Sequence, residues 1–214
     1  MPKLSRGWIV ALIIFLILLA DQALKFWIKT HLVLHDSIRI TDWFYLFFTE
    51  NNGMAFGMEL FDKLFLTLFR MAAVGGLLWY VSRIISKKST RTGYLVCIAL
   101  IIAGAMGNIF DCLFYGLVFD HSYGQLATFF PAGGGYGTFF YGKVVDMLYF
   151  PLIDSHWPTW MPFVGGDSLV FFRPIFNIAD ASISVGIFIL LLFYRKDLSE
   201  VSTAKIVPEA PENP

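Results

Sequence analysis

Charged residues are scarce in this chain, at 15% of 214 residues, where soluble globular proteins carry about 25%. Neither sign is in excess, because 16 Lys and Arg balance 16 Asp and Glu, so no basic field exists that would attract nucleic acid. Hydrophobic residues reach 57%, and 23 of them are Phe. The composition excludes a soluble enzyme, a disordered chain and a nucleic-acid-binding protein, and it predicts an integral membrane protein.

Cysteines and several catalytic motifs are also few or missing. Cys97 and Cys112 lie in one apolar run, and on a helix they would be about 22 Å apart, beyond the ~7 Å that a disulfide allows. No HExxH or GxSxG motif occurs, and the four histidines fall in predicted loops or at their margins. We therefore expect no disulfide within the chain, no metal, no cofactor and no serine nucleophile.

Four apolar stretches are long enough to cross a bilayer, which takes about 20 residues. Basic residues precede the first, separate the second from the third and follow the fourth, so the positive-inside rule places both termini in the cytoplasm. We predict an all-α membrane domain over 1–197, with long outer loops at 25–63 and 114–175, and a disordered cytoplasmic tail over 198–214. The predicted transmembrane helices cover residues 7–24, 64–82, 93–113 and 176–194.

The outer loops are aromatic rather than polar. Residues 37–49 read SIRITDWFYLFFT, which predicts a small extracytoplasmic β element at the membrane surface, with Trp43 and Tyr45 at headgroup level. The second loop contains a run of glycines at 133–135. Since no Lys-Ser/Thr pair follows that run, a flexible hinge or flap is favoured over a phosphate-binding loop.

Carboxylates recur at the predicted outer ends of the helices, although ionisable groups inside a bilayer are costly. Asp21, Asp111 and Asp180 each lie near such an end, and Asp146 lies in the loop before the fourth helix. Two carboxylates held close together share a proton, so one can activate water while the other polarises a carbonyl group. Asp146 and Asp180 are the predicted pair for peptide hydrolysis.

Other polar residues at this level are predicted to support that pair. Helical spacing places Asn108 and Asp111 on one face with two glycines, where another helix can approach closely, and Asn177 and Asp180 form a second polar face. Structural support is favoured over chemistry for Asp21, which can pair with Lys25 at i+4, and for Asp111. Arg70, about 9 Å into the second helix, is predicted to pair with an outer carboxylate, and the alternative is that it snorkels to the surface.

Five motifs occur in order along the chain: DQALK from Asp21, NNGMAF from Asn51, GNIFD ending at Asp111, VVDM around Asp146 and FNIAD ending at Asp180. Together they resemble lipoprotein signal peptidase, the type II signal peptidase family of bacterial intramembrane aspartyl proteases. The resemblance covers all four predicted helices. Each motif alone is weak, and five in order on the predicted topology are specific.

The resemblance implies a fold of four helices with a small surface β element, and an inner-membrane enzyme with Asp146 and Asp180 as its catalytic dyad. It implies that prolipoproteins with a diacylglyceryl-modified Cys are cut just before that Cys, within membrane lipid, and that globomycin-like inhibitors bind. The residues implied in substrate binding or site support are Asp21, Lys25, Asn51, Gly53, Asn108, Asp111 and Asn177.

Two departures from the family pattern affect the expected site. The family usually has Arg after G-N-x-x-D, and here that position is Cys112, so Arg70 is a candidate substitute for the lost charge. The segments on either side of Asp146 are longer than is usual, which affects the expected flap but not the dyad.

Two other functions remain open from the sequence. A proton-coupled transporter or channel would use Asp21, Asp111 and Asp180 as a relay, but a relay should place acids through the whole depth of the membrane. A non-catalytic scaffold that binds lipoprotein precursors would differ from the enzyme only in activity.

Overall fold

The computed structural model describes residues 5–51, 63–151, 153–171 and 174–198. The helix at Thr92–Phe110 is extended by a π-helical turn at Asp111–Tyr115 and by a short helix at Gly116–Val118. The helices are α1 (Arg6–His31), α2 (Lys63–Ile84), α3 (Thr92–Phe110), α4 (Gly116–Val118) and α5 (Ile178–Phe193). The strands are β1 (Ser37–Thr41), β2 (Phe44–Asn51), β3 (Val144–Tyr149), β4 (Ile153–His156), β5 (Ser168–Phe171) and β6 (Ile175–Phe176).

Three helices of the described residues are long and apolar enough to cross a membrane: α1, α2 and the continuous run Thr92–Val118. The fourth apolar helix, α5, has 16 residues and is about 24 Å long, less than the ~30 Å hydrocarbon core. The chain is therefore a multi-pass membrane protein. The fourth crossing, the orientation of the termini and the tail over 199–214, which lies outside the described residues, stay predictions.

Helix α1 extends further than the hydropathy pattern predicted. The sequence placed its end at residue 24, but the helix continues to His31. Lys25 and Lys29, which follow the predicted end, are both fully buried against other parts of the protein. Their charges face protein partners instead of lipid or water, so they do not end the helix. The outer loop predicted from residue 25 therefore begins only after His31.

Helix α3 occupies the centre of the bundle and packs against α1, α2 and α5. Its packing against α5 depends on small residues, since a Cβ at Gly104 or Gly107 would collide with the first turn of α5 or with the side chain of Asp21. This close approach confirms the helix-pairing face predicted from the spacing. On the outside of the bundle, large apolar side chains such as Phe15, Leu19 and Phe188 are exposed, as expected of a surface that faces lipid.

A four-stranded antiparallel sheet in the order β1-β2-β3-β6 covers one end of the bundle, and β4 and β5 form a separate hairpin. The strands predicted within residues 37–49 are confirmed as β1 and β2. Asp146, predicted in the outer loop before the fourth helix, lies in β3, where Thr49 is its partner residue in β2. The β element is therefore larger than expected.

Within the glycine run at 133–135, Gly135 is packed against α4, whereas a Cβ at Gly133 or Gly134 would meet nothing within 4 Å. A Cβ at Gly135 would collide with the backbone carbonyls of Gly116 and Leu117, and the neighbouring Gly137 donates its backbone N–H to Gly116. Close approach of two backbones thus accounts for a glycine at position 135. Whether the segment also acts as a flap stays a prediction.

Candidate active site

Asp146 and Asp180 are joined by one buried amide, the side chain of Asn177. Asn177 precedes α5 as its N-cap, and its Oδ1 accepts the backbone N–H of Asp180 at 2.8 Å. Its Nδ2 donates to Asp146 Oδ1 at 2.7 Å. Asp146 is only 2% exposed in the middle of β3, whereas Asp180 is half-buried in the first turn of α5. A capping side chain therefore connects the carboxylate of Asp146 to the backbone of Asp180.

A second amide, Asn108 of α3, completes the connection on the helix side. Its Nδ2 donates to Asp180 Oδ1 at 2.7 Å. Its Oδ1 accepts from Asn177 Nδ2 and from Lys25 Nζ, each at 3.1 Å. Because one oxygen receives two donors, the orientation of the Asn108 amide is fixed.

A third amide, Asn51, reaches the site from the sheet. It is the last residue of β2 and pairs with Val144 of β3, and its Nδ2 donates to Asp146 Oδ2. Both oxygens of Asp146 therefore accept an amide hydrogen bond. The structure thus brings Asn51, Asn108 and Asn177 around the two aspartates.

Burial raises the pKa of the Asp146 carboxyl to about 8, and the nearby charge of Asp180 contributes to the rise. The raised pKa favours the protonated form of Asp146, which can donate a proton. A buried acid beside a more accessible carboxylate is the arrangement that separates acid and base roles in carboxyl pairs.

Beneath the aspartates, Lys25 is fully buried between two further carboxylates. Its Nζ lies 2.8 Å from Asp21 Oδ2 and 2.7 Å from Asp111 Oδ2. Gln22 adds a donor to Asp111 Oδ1 at 2.8 Å. The i+4 pairing of Asp21 with Lys25 is thereby confirmed. Each ion gains several partners, which a buried ion pair needs in order to offset its desolvation.

These two carboxylates also hold the backbone on either side of the site. Asp21 Oδ1 accepts the backbone N–H of Ala179, next to Asp180, at 3.0 Å. Asp111 Oδ2 accepts the backbone N–H of Val145, next to Asp146, at 3.4 Å. One ion-pair cluster therefore contacts both elements that carry the dyad.

The sequence reasoning missed a second buried cluster one residue away from Asn51. Lys29 Nζ lies 2.5 Å from Glu50 Oε1 and 3.1 Å from Ser122 Oγ, and Lys143 Nζ lies 3.4 Å from Glu50 Oε2. The available signal was the i+4 spacing of Lys29 from Lys25, which continues one polar face along α1.

Arg70 lies near the buried thiol of Cys112, which also contacts Thr67. The cation that pairs with Asp21 and Asp111 is Lys25, so the pairing of Arg70 with an outer carboxylate stays a prediction. Its position beside Cys112 is compatible with the predicted substitution of Arg70 for the missing charge. Gly53 lies outside the described residues.

Comparison with known proteins places these residues in a family. The model of the family described as signal peptidase (SPase) II matches residues 13–195. The chain belongs to the lipoprotein signal peptidase family. A lipoprotein signal peptidase of Porphyromonas gingivalis is 48% identical over 199 residues, which cover 93% of this chain and 88% of that protein. One of Amoebophilus asiaticus is 32% identical over 194 residues, covering 88% and 78%. Signal peptidase II is a protease, and this confirms the resemblance inferred from the five motifs.

Solved structures show the same fold. One bacterial membrane enzyme superposes with a TM-score of 0.61 at 23% identity, covering 100% of this chain and 99% of the other. A second superposes with a TM-score of 0.59 at 24% identity, covering 91% and 99%. A membrane-enzyme fold of three to four apolar helices with a small antiparallel sheet is therefore shown for this chain.

Proposed function

We propose that this chain is an aspartyl endopeptidase that removes the signal peptide from diacylglyceryl-modified prolipoproteins by cutting just before the lipidated Cys. The observation that carries the proposal is the amide bridge of Asn177, which contacts Asp146 and receives the N–H of Asp180. Family membership supports a peptidase of lipoprotein signal peptides. The amide bridge supports the two aspartates as its catalytic dyad.

In the proposed reaction, Asp180 is the general base and Asp146 the general acid. Asp180 takes a proton from water, and the resulting hydroxide attacks the carbonyl carbon of the scissile peptide bond. Asp146 protonates the carbonyl oxygen, which gives a neutral gem-diol. Asp180 then transfers its proton to the leaving nitrogen and Asp146 takes a proton back from the gem-diol, so that the C–N bond breaks and both carboxyl groups return to their starting state. The products are the signal peptide and the lipoprotein that begins with the lipidated Cys. The raised pKa of Asp146 supports its assignment as the acid.

We assign the dyad to the outer leaflet, with both termini cytoplasmic and α5 as the fourth crossing. Asp21 lies about 15 residues beyond Arg6 and Asn108 about 16 beyond Thr92, so both are roughly 22–24 Å from one membrane boundary and several ångströms inside the other. The diacylglyceryl anchor of the substrate would lie in the same leaflet. It would hold the scissile bond at a fixed depth, which favours a near-attack geometry. Globomycin-like inhibitors would compete there.

A cleavage assay in bilayers tests the dyad. Wild type, Asp146→Asn and Asp180→Asn are compared on a diacylglyceryl-modified prolipoprotein. The control is Asp42→Asn, the same chemical change in the exposed β1–β2 turn. We expect each dyad variant to fold and to lose at least ~100-fold in rate, since general acid–base catalysis contributes about 10²–10⁴. The control should retain the wild-type rate.

The outcomes separate the parts of the proposal. Near-full activity in either folded dyad variant would mean that the dyad is misassigned. If the wild-type protein does not cleave a suitable lipidated prolipoprotein, the chain belongs to the family but lacks the proposed activity. Equal rates on lipidated and unlipidated precursor would contradict the fixed-depth argument, because the anchor would then contribute nothing to positioning.

A further inference from the structure

The segment 126–142 carries no charged residue, although it connects the end of the α3 region to β3 outside the helix bundle. Several of its aromatic side chains are exposed, with Phe130 at 68%, Phe129 at 46% and Phe139 at 45%. Exposed aromatic patches of this kind mark interaction sites with protein or membrane. The segment therefore needs a partner that accepts apolar and aromatic groups.

One side of the segment continues the lipid-facing surface of α1. Phe15, Leu19 and Phe26 are exposed on α1 at i, i+4 and i+11, which is one helix face. Phe129 packs edge-on against Phe26, with ring centroids 5.1 Å apart, and Phe130 packs on Phe129 at 4.3 Å. The apolar surface thus passes from the helix into the segment without a break.

The other side of the segment continues the surface of α3 in the same way. Phe110 is exposed at the end of α3, and its ring lies 4.8 Å from Phe114, which lies 5.9 Å from Phe139. Phe110 also lines a groove of about 250 Å³ together with Phe15 and Leu19 of α1. The ring contacts that lead from Phe26 and from Phe110 into the segment therefore start on the same side of the molecule.

The depth of Phe26 and Phe110 in the membrane follows from their positions along α1 and α3. Phe26 lies about 20 residues beyond Arg6, and Phe110 about 18 beyond Thr92, so at ~1.5 Å per residue both are roughly 27–30 Å from the opposite boundary. The hydrocarbon core is about 30 Å thick. Phe129 and Phe139, which connect to these two residues, consequently lie at the boundary between hydrocarbon and headgroups, where aromatic side chains are enriched.

Backbone hydrogen bonds hold the segment against the helix ends, at carbonyls that lie roughly 30–39 Å from the opposite boundary by the same helix rise. Ala127 donates to the carbonyl of Lys29, Phe130 to that of Val118 and Gly142 to that of Cys112, at 3.0, 2.7 and 2.9 Å. Lys29 itself is held by its ion pair with Glu50. The segment is therefore fixed to the helix ends and is not free to rise into water.

We propose that segment 126–142 is a membrane-interface anchor, with Phe129, Phe130 and Phe139 immersed in the lipids of the leaflet nearest the dyad. The occupant of its exposed face is lipid because the face is uncharged, is continuous with lipid-facing helix surfaces and lies at interface depth. This contact fixes the connection between α3 and β3, and hence the edge of the strand that carries Asp146, relative to the membrane surface.

Spin-label accessibility in phosphatidylethanolamine–phosphatidylglycerol nanodiscs tests the proposal without an activity readout. Labels are placed at Phe130→Cys and, independently, Phe139→Cys. Leu19→Cys is the lipid reference, and Gln125→Cys, an exposed polar position just before the segment, is the water reference. The native Cys97 and Cys112 are buried, and the parent protein treated with the label gives their background.

We expect the ratio of collisions with oxygen to collisions with a water-soluble nickel chelate to be several-fold higher at both segment positions than at Gln125, and close to that at Leu19. Ratios equal to the Gln125 value would place the segment in water and overturn the proposal. Protection from both reagents, with spin–spin broadening, would show that a second copy covers the face and would equally overturn it. An unchanged melting temperature identifies the labelled variants that are folded.

Discussion

Substitution of Gly104 by Ala tests how the bundle positions the dyad. A Cβ at this position would collide with the carbonyl oxygen of Ala179 and would lie 2.5 Å from Ser182 Oγ and 2.7 Å from Ile183 Cγ1. All three atoms belong to the first turns of α5, which also carries Asp180. A backbone carbonyl cannot rotate away as a flexible side chain can. The helix itself must therefore move away from α3.

The size of the effect follows from that displacement. Restoring ordinary contact requires a shift of α5 by about 1 Å, and a misplacement of about 1 Å in an active site can cost on the order of 100-fold in rate. Overpacking costs about 1–3 kcal/mol in the free energy of unfolding. At about 2–4 °C per kcal/mol for a chain of this size, the melting temperature should fall by several degrees.

The matched control is Gly75→Ala in α2, where a Cβ would meet nothing within 4 Å. Replacing a helical Gly by Ala should there be neutral or slightly stabilising, by about 0.5–1 kcal/mol. Both variants are measured by thermal unfolding in detergent and by cleavage rate in bilayers. If Gly104→Ala melts and cleaves like Gly75→Ala, the close packing of α3 and α5 does not position Asp180, and the reasoning fails.

Three further predictions concern buried charges. The pKa of Asp146 in the folded protein is raised above its unfolded value of about 3.9. Its contribution to the free energy of unfolding is therefore greatest below pH ~4 and is lost as the pH rises towards 8. Thermal unfolding across that range should show this pH dependence in wild type and not in Asp146→Asn. Cleavage should likewise decline above pH 8 as Asp146 loses its proton, and a rate that is flat to pH 10 would exclude Asp146 as the acid. Lys25→Met should lower the free energy of unfolding by about 3–5 kcal/mol, because it leaves Asp21 and Asp111 buried without their cation. The folded yield in detergent should fall sharply, and the additional substitution Asp111→Asn should recover part of that yield.

The helices and most of the site could be predicted because their signals are local. An apolar run of sufficient length predicts a membrane helix, and Asn108 and Asp111 share a face through spacing along one helix. The position of Asn177 just before α5 is likewise a local capping signal. What these signals predicted was the type of element and the end of the bundle at which the polar residues gather.

The sheet could not be predicted in the same way because its pairing is non-local. β2 and β3 are about 100 residues apart in the chain, and nothing in the short apolar run VVDMLY indicates which strand it joins. The Lys29–Glu50 pair has the same origin, since it connects a helix to a strand. The end of α1 was misplaced because a hydropathy scale penalises every lysine equally, including Lys25 and Lys29, which are paired with buried carboxylates.

The buried charges of α1 have a consequence for how the protein is made. Asp21 and Lys25 can neutralise each other as soon as the helix forms, because they are one turn apart. Lys29, however, needs Glu50, and the second carboxylate on Lys25 belongs to Asp111, which leaves the ribosome only after the whole of α2. An unpaired lysine is costly at membrane depth. Although α1 is synthesised first, we therefore expect it to reach its final position only after α3 has been synthesised.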